Sequence, residues 1–168
     1  QTRLIVDNTF LTPLRQRPLE LGADLVIHSG TKYLTGHNDI LAGVVVAKNA
    51  SLGEQLVWLS NTTGPTLSPF DCWLFIRSLK TLSLRLDRQE ANAQALAQAL
   101  SQHPQIKEVL YPGRGAMMSI KIQDASKVDS FLRALKVFTF AESLGGVESF
   151  ITYPTTQTHA DIPQDIRE

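Results

Sequence analysis

Asp24-Leu25-Val26-Ile27-His28-Ser29-Gly30-Thr31-Lys32 is the stretch that decides the fold. Its first half is short, apolar and β-branched, the pattern of a buried strand. Its second half is small and hydroxylic and ends in a lysine, as where a strand gives way to a loop. Upstream, Leu4-Ile5-Val6-Asp7 has the same apolar character and stops at Asn8-Thr9. Pro13 and Pro18 break up the segment between them and leave room only for a short helix over 18–22. Two buried strands joined by such a crossover predict a parallel βαβ unit. A third apolar strand is expected over 40–46 and a helix over 51–59. Ser68 is a good N-cap, with Pro69 at the first helical position and Asp71 in the first turn, so a helix runs from there towards Lys80.

A longer helix is expected over 82–102, with Leu86, Ala93, Leu96, Ala97 and Leu100 on one face. Beyond His103-Pro104 the pattern changes. Residues 106–110 read as a strand, and Met118, Ile120 and Ile122 alternate as in a half-buried one. Val128, Phe131, Leu132 and Leu135 form a helical stripe, and 148–152 is a further strand candidate. This half reads as α+β with an antiparallel sheet. The chain therefore divides into 1–90, the later part of an α/β domain with a mostly parallel sheet, and 91–168, a smaller α+β domain.

The 16 Lys+Arg balance the 16 Asp+Glu, which removes the basic footprint of a nucleic-acid binder. No apolar run is long enough to span a bilayer. Cys72 is the one cysteine, so no intrachain disulfide can form, and a reducing, cytoplasmic compartment is expected. The opening residues lack the basic and apolar pattern of a leader. There is no initiator Met, and Asp165-Ile166-Arg167-Glu168 reads as the start of a helix, so both ends look cut from a larger protein.

Ligands of open α/β sheets sit outside the carboxyl ends of parallel strands. Here those ends carry Asp7 on one strand and Ser29, Gly30, Thr31 and Lys32 on the other. Each residue alone has an ordinary reading. A lysine after a strand is usually a solvated charge, an Asp before Asn a turn residue, and Ser or Thr a turn cap. Together they suit pyridoxal phosphate, which needs a lysine for its Schiff base, an acid beside the pyridine nitrogen, and small donors around its phosphate. Elsewhere the bland readings prevail. His28 is expected to be a packed structural histidine, and Cys72 a buried inert thiol. Trp58 and Trp73 are core or interface residues, and Arg85 and Arg88 a solvated face. His37, His103 and His159 lack metal-ligand spacing, so no metal site is expected.

Val6-Asp7-Asn8-Thr9-Phe10 and His28-Ser29-Gly30-Thr31-Lys32-Tyr33-Leu34-Thr35-Gly36-His37-Asn38-Asp39 resemble the signature of the cystathionine γ-synthase family, fold-type-I pyridoxal phosphate enzymes of cysteine and methionine metabolism. The resemblance continues in order through Leu67-Ser68-Pro69-Phe70-Asp71, Arg77-Ser78-Leu79-Lys80-Thr81-Leu82, Tyr111-Pro112-Gly113, Glu142-Ser143-Leu144-Gly145-Gly146-Val147-Glu148-Ser149 and Thr158-His159-Ala160-Asp161-Ile162-Pro163. It implies that Lys32 is the Schiff-base lysine and proton-transfer base. It implies that Asp7 pairs with the pyridinium nitrogen, that Ser29 and Thr31 bind the phosphate, and that Ser143 lies by the substrate carboxylate. Two positions depart from the family's usual residues, Gly30 for Ala and Thr35 for Gly, without removing a chemical group.

The resemblance further implies a longer chain. The family's ring-stacking tyrosine and a phosphate loop belong upstream of position 1, and its carboxylate-clamping arginine beyond Glu168; Arg167 stands too early for that part. The segment Gly113-Arg114-Gly115-Ala116-Met117-Met118 is short, which is more like bacterial γ-synthase and thiolyase members than γ-lyases. The expected reaction is γ-replacement on an activated homoserine by a thiol, with a cystathionine β- or γ-lyase as the rival. A non-catalytic cofactor-binding fragment or interaction module is the rival of another class. Small amino-acid substrates and a homo-oligomeric dimer of dimers are implied, with no nucleic-acid or membrane partner.

Overall fold

The computed structural model describes residues 2–163 and residue 166. Arg167 and all but Ile166 of the expected C-terminal helix start therefore lie outside the described residues. A three-stranded sheet in the order β1-β2-β3 anchors the first half. β1 (Ile5–Asp7) and β2 (Leu25–Ser29) are parallel, with Ile5 opposite Leu25 and Asp7 opposite Ile27. The predicted crossover unit is thus present, but its helix is not over 18–22. Thr12–Arg15 form α1 instead, with Pro13 in the first turn, where a missing N–H costs nothing. Residues 18–22 close as turns onto the Pro18 carbonyl. β3 (Gly43–Ala47) runs antiparallel to β2, because the intervening chain doubles back through a turn rather than crossing the sheet. β1 is less buried than its composition predicts: Ile5 is 53% exposed, and among the described residues the one strand beside β1 is β2.

Three helices follow. α2 (Ala50–Thr63) is capped by Asn49, whose side chain accepts from the Leu52 N–H at 3.0 Å. α3 (Pro69–Leu79) starts as the sequence predicts, with Ser68 Oγ accepting from the Asp71 N–H at 3.1 Å. Asp71 in its first turn and Arg77 in its last both complement the helix dipole. α4 (Leu82–Ser101) buries Leu82, Leu86, Ala93 and Ala97, while Leu96 turns outward. Between β2 and β3 lies a wide helical turn, Gly30–Leu34, closed by the Thr35 N–H on the Gly30 carbonyl at 3.1 Å. Tyr33 and Leu34 of this turn pack with Leu82 and Leu86 into the core cluster, with Phe75, Val44 and Leu144 around them. Burial pushes the Tyr33 phenol up to about 12. Phe75 also fills the space beside Gly30, where a methyl carbon would come within 2.5 Å of its ring.

The second half pairs β4 (Ile106–Leu110) antiparallel with β5 (Ser119–Ile122), and α5 (Val128–Ala134) follows a short 3₁₀ turn. The expected strand over 148–152 shortens to β7 (Phe150–Ile151), which pairs in parallel, not antiparallel, with β6 (Thr139–Phe140). The glycine-containing loop between them returns the chain in the same direction. Two further expectations change, and that for the tryptophans narrows to the interface reading. Cys72 is exposed, because it sits on the outward side of α3. Trp58 and Trp73 are 63% and 58% exposed, so neither is in the core of this chain. Arg85 is not a solvated charge: its guanidinium donates to the Tyr33 carbonyl at 2.8 Å, to the Leu34 carbonyl at 3.3 Å and to the Ser78 carbonyl at 3.1 Å. Among the described residues no helix is long and apolar enough to cross a membrane.

Gly36 ends the Lys32 turn with φ +71°, and the Arg85 guanidinium occupies the place a side chain there would take. Gly36→Ala is expected to lose about 1–2 kcal/mol from the left-handed backbone alone, and more from displacing the guanidinium. Urea unfolding against the parent protein measures it.

Candidate active site

The parallel pairing of β1 and β2 sets their carboxyl ends side by side, and Thr9 ties them together. Its N–H donates to Asp7 Oδ1 at 2.9 Å, and its Oγ1 accepts from the Ser29 N–H at 2.8 Å. The Thr9 hydroxyl and then its backbone N–H hold the Asp7 carboxyl below the usual carboxylate range, with a smaller contribution from His28. Asp7 is therefore an ionised acid at neutral pH, although it is largely open to solvent. The Asn8 side chain fixes the turn that follows, donating to the Thr12 and Gln16 carbonyls at 3.1 and 2.9 Å. His28 is buried as predicted, at 5% exposure, and its Nδ1 has no hydrogen-bond partner among the described residues. Burial lowers its pKa below the ordinary imidazole value, which favours the neutral ring at neutral pH.

Lys32 sits at a kink in its turn, with φ −88° and ψ −124°, outside helical geometry. Its Nζ donates to Ser143 Oγ at 3.0 Å, a contact between residues 111 positions apart. Ser143 itself has φ +117°, a conformation that costs a non-glycine residue on the order of 1–3 kcal/mol. The loop that carries it lies directly on the lysine turn. A side chain on Gly145 would come within 2.5 Å of the Tyr33 amide nitrogen, so only glycine permits this approach. Beside the pair opens a cleft of about 400 Å³, lined by Thr31, Asn38, Asp39, Glu142, Ser143 and Phe150. Asn38 Nδ2 donates to Glu148 Oε2 at 2.6 Å and ties this rim to the second half.

The five residues singled out from sequence fall into three situations. Lys32 and Ser143 meet directly. Asp7 and Ser29 are joined through Thr9. Thr31 is on the cleft wall, but its hydroxyl accepts from the Ala42 N–H at 3.0 Å and donates to the Ala42 carbonyl at 3.4 Å, which commits it to the backbone. Ser29 has the hydroxyl left free of hydrogen bonds among the described residues. Thr9 went unassigned in the sequence reading, although it stands inside the Asp7-Asn8-Thr9 motif. Only the fold reveals that it faces Ser29. Among the described residues no group of His, Cys, Asp and Glu could hold a metal ion.

This donor set fits pyridoxal phosphate. An ionised acid, an amine held by one hydroxyl, a second free hydroxyl and the neighbouring backbone amides lie on one rim of the sheet. Comparison with known proteins agrees. Residues 1–168 match the family described as Cys/Met metabolism PLP-dependent enzyme. The chain is 62% identical over 164 residues to the cystathionine γ-synthase/O-acetylhomoserine (thiol)-lyase of Bacillus subtilis, covering 98% of this chain and 44% of the relative. It is 47% identical over 180 aligned positions to the cystathionine γ-lyase of the same organism, covering 98% of this chain and 48% of the relative. A crystal structure of cystathionine γ-synthase from Xanthomonas oryzae pv. oryzae, in complex with aminoacrylate and cysteine, superposes with a TM-score of 0.94 at 44% identity. That match covers 99% of this chain and 47% of the other. The fold is thus the α/β fold of type I pyridoxal phosphate enzymes. The chain spans less than half the length of these relatives.

Because the Asp7 carboxyl is held below its ordinary value, its contribution to stability is full above the ordinary carboxylate pKa of about 4 and is lost as pH falls through the lowered one. Thr9→Val removes the largest cause. The Asp7 pKa is expected to rise towards its ordinary value, and the acid loss of stability to begin at higher pH. A carboxyl-carbon NMR titration measures the shift directly.

Proposed function

We propose that this chain, which belongs to the Cys/Met metabolism PLP-dependent enzyme family, serves a γ-replacement in which a thiol displaces the leaving group of an activated homoserine. The observation that carries the proposal is the Lys32–Ser143 contact at 3.0 Å, on the rim that also carries Asp7 and Ser29. The identity to the bifunctional synthase and thiolyase supports replacement rather than cleavage. The lyase needs 180 aligned positions to cover the same share of this chain that the synthase covers in 164, so it carries residues this chain lacks.

Bound on this rim, pyridoxal phosphate supplies an electron-withdrawing ring that takes up the electron pair released when a proton leaves the amino acid's Cα. The chain's own residues then have separable tasks. Asp7 presents a fixed negative charge to the ring nitrogen and keeps it protonated. Ser29, with its free hydroxyl, holds the phosphate, while Thr31 shapes the wall beside it. Lys32 Nζ holds the cofactor in the resting protein and moves protons from Cα and Cβ during turnover. Ser143 accepts from that amine and stands next to the space for the substrate carboxylate. Lys32 would take the Cα and Cβ protons, the leaving group would depart from Cγ with the bonding electron pair, the thiol sulfur would add at Cγ as its own proton goes to the leaving group, and Lys32 would return the two protons to Cβ and Cα.

In this reading residues 1–90 are the later part of the cofactor domain and 91–168 much of the domain that follows. The substrates are small amino acids, the assembly is a homo-oligomer built as a dimer of dimers, and the compartment is the cytoplasm. The exposed thiol of Cys72 suits a reducing environment.

Borohydride treatment of the cofactor-loaded protein is expected to fix the cofactor to Lys32, as read by peptide mass spectrometry, and Lys32→Ala to abolish the link. A colourless parent protein with no fixed lysine leaves a non-catalytic fragment as the better account. In a substrate panel, acyl-homoserine plus thiol should be consumed. Breakdown of cystathionine alone, without replacement, marks a lyase instead. Ser143→Ala removes a hydrogen bond to the lysine and is expected to lower turnover about tenfold.

A further inference from the structure

One helix reaches both halves of the Lys32–Ser143 pair. Arg85 and Gln89 stand one turn apart on α4, so their side chains share a face. Arg85 grips the lysine turn through the Tyr33 and Leu34 carbonyls at 2.8 and 3.3 Å, braced by Thr81 Oγ1 at 3.0 Å from its Nε. Gln89 Nε2 donates to the Gly146 carbonyl at 2.8 Å and so grips the loop that carries Ser143. We propose that Arg85 and Gln89 are positioning residues that set the Lys32 Nζ to Ser143 Oγ distance, one holding the amine's turn and the other the hydroxyl's loop.

The second observation that supports a positioning role is on Gln89 itself. Its Oε1 is buried with no partner among the described residues, a cost that an apolar side chain would avoid. A side chain present for stability alone has no reason to retain that orphan acceptor. Its amide N–H on Gly146 does. The strained backbone of Ser143, φ +117°, needs such a restraint, because a free loop relaxes out of that conformation. Neither residue touches the cleft, and each acts through the backbone of another segment.

The inference rests on the reading of Lys32 and Ser143 given above, and its test separates the two. In the pyridoxal phosphate-loaded protein, Gln89→Leu removes the grip and the orphan acceptor together. The expected result is a loss of about half the visible circular dichroism per bound cofactor, with kcat about tenfold lower and KM within about twofold, the signature of misplacement rather than lost binding. Gln89→Met makes the same prediction and serves if Gln89→Leu does not fold. Unchanged visible dichroism and unchanged kcat in a folded Gln89 variant overturn the inference while Lys32→Ala still loses its fixed cofactor. If Lys32→Ala keeps the fixed cofactor, the underlying reading of the site falls first.

Discussion

Everything in the candidate site depends on how the turn Gly30–Leu34 is seated on α4. Tyr33 and Leu34 are buried against Leu82 and Leu86, which makes the two residues after the lysine part of the core. Lys32 is thereby held at the boundary between packed interior and cleft. The turn cannot drift without opening that core, and close-packed interiors resist such shifts. The Arg85 guanidinium closes the same turn from the polar side, donating to its Tyr33 and Leu34 carbonyls. Hydrophobic packing below and charge-assisted hydrogen bonds beside it fix one short segment in two independent ways.

The electrostatics of the rim follow from local burial. Asp7 is open to water, and Thr9 favours its ionised form further with donors already fixed by the turn. His28, two residues before Gly30, is buried, and burial lowers its pKa below the ordinary imidazole value. The cleft beside Lys32 is lined by Thr31 and residues 38–41 on one side and by Glu142, Ser143 and Phe150 on the other, so segments distant in sequence build it together. Glycine at 145 lets the loop that carries Ser143 lie on the lysine turn, and the Asn38–Glu148 hydrogen bond joins the rims again.

Much of this architecture was legible in the chain. Apolar β-branched runs ended by polar residues predicted β1 and β2 and their parallel pairing. Ser68-Pro69 marked the start of α3, and Leu86, Ala93 and Ala97 the buried face of α4. Arg85 and Cys72 were misread because a residue's type and helical position say nothing about what lies opposite. In the sequence Arg85 resembles any charge on an amphipathic helix, yet two of its partners are carbonyls more than fifty positions away. The helix at Thr12–Arg15 was missed because two prolines were read only as breakers, whereas proline in a first turn is compatible with a helix.

Residue order along the chain supplies the chemical groups: the acid at 7, the hydroxyls at 29 and 31, the amine at 32, the serine at 143, in an order that belongs to one family. Local pattern carries that information, because strand ends and motif residues are near one another in the chain. Only the tertiary structure decided which groups meet. The Lys32–Ser143 contact, the loss of the Thr31 hydroxyl to Ala42 and the grip of α4 on both segments join residues distant in sequence. Side-chain periodicity does not encode such pairings; the packing of the core does.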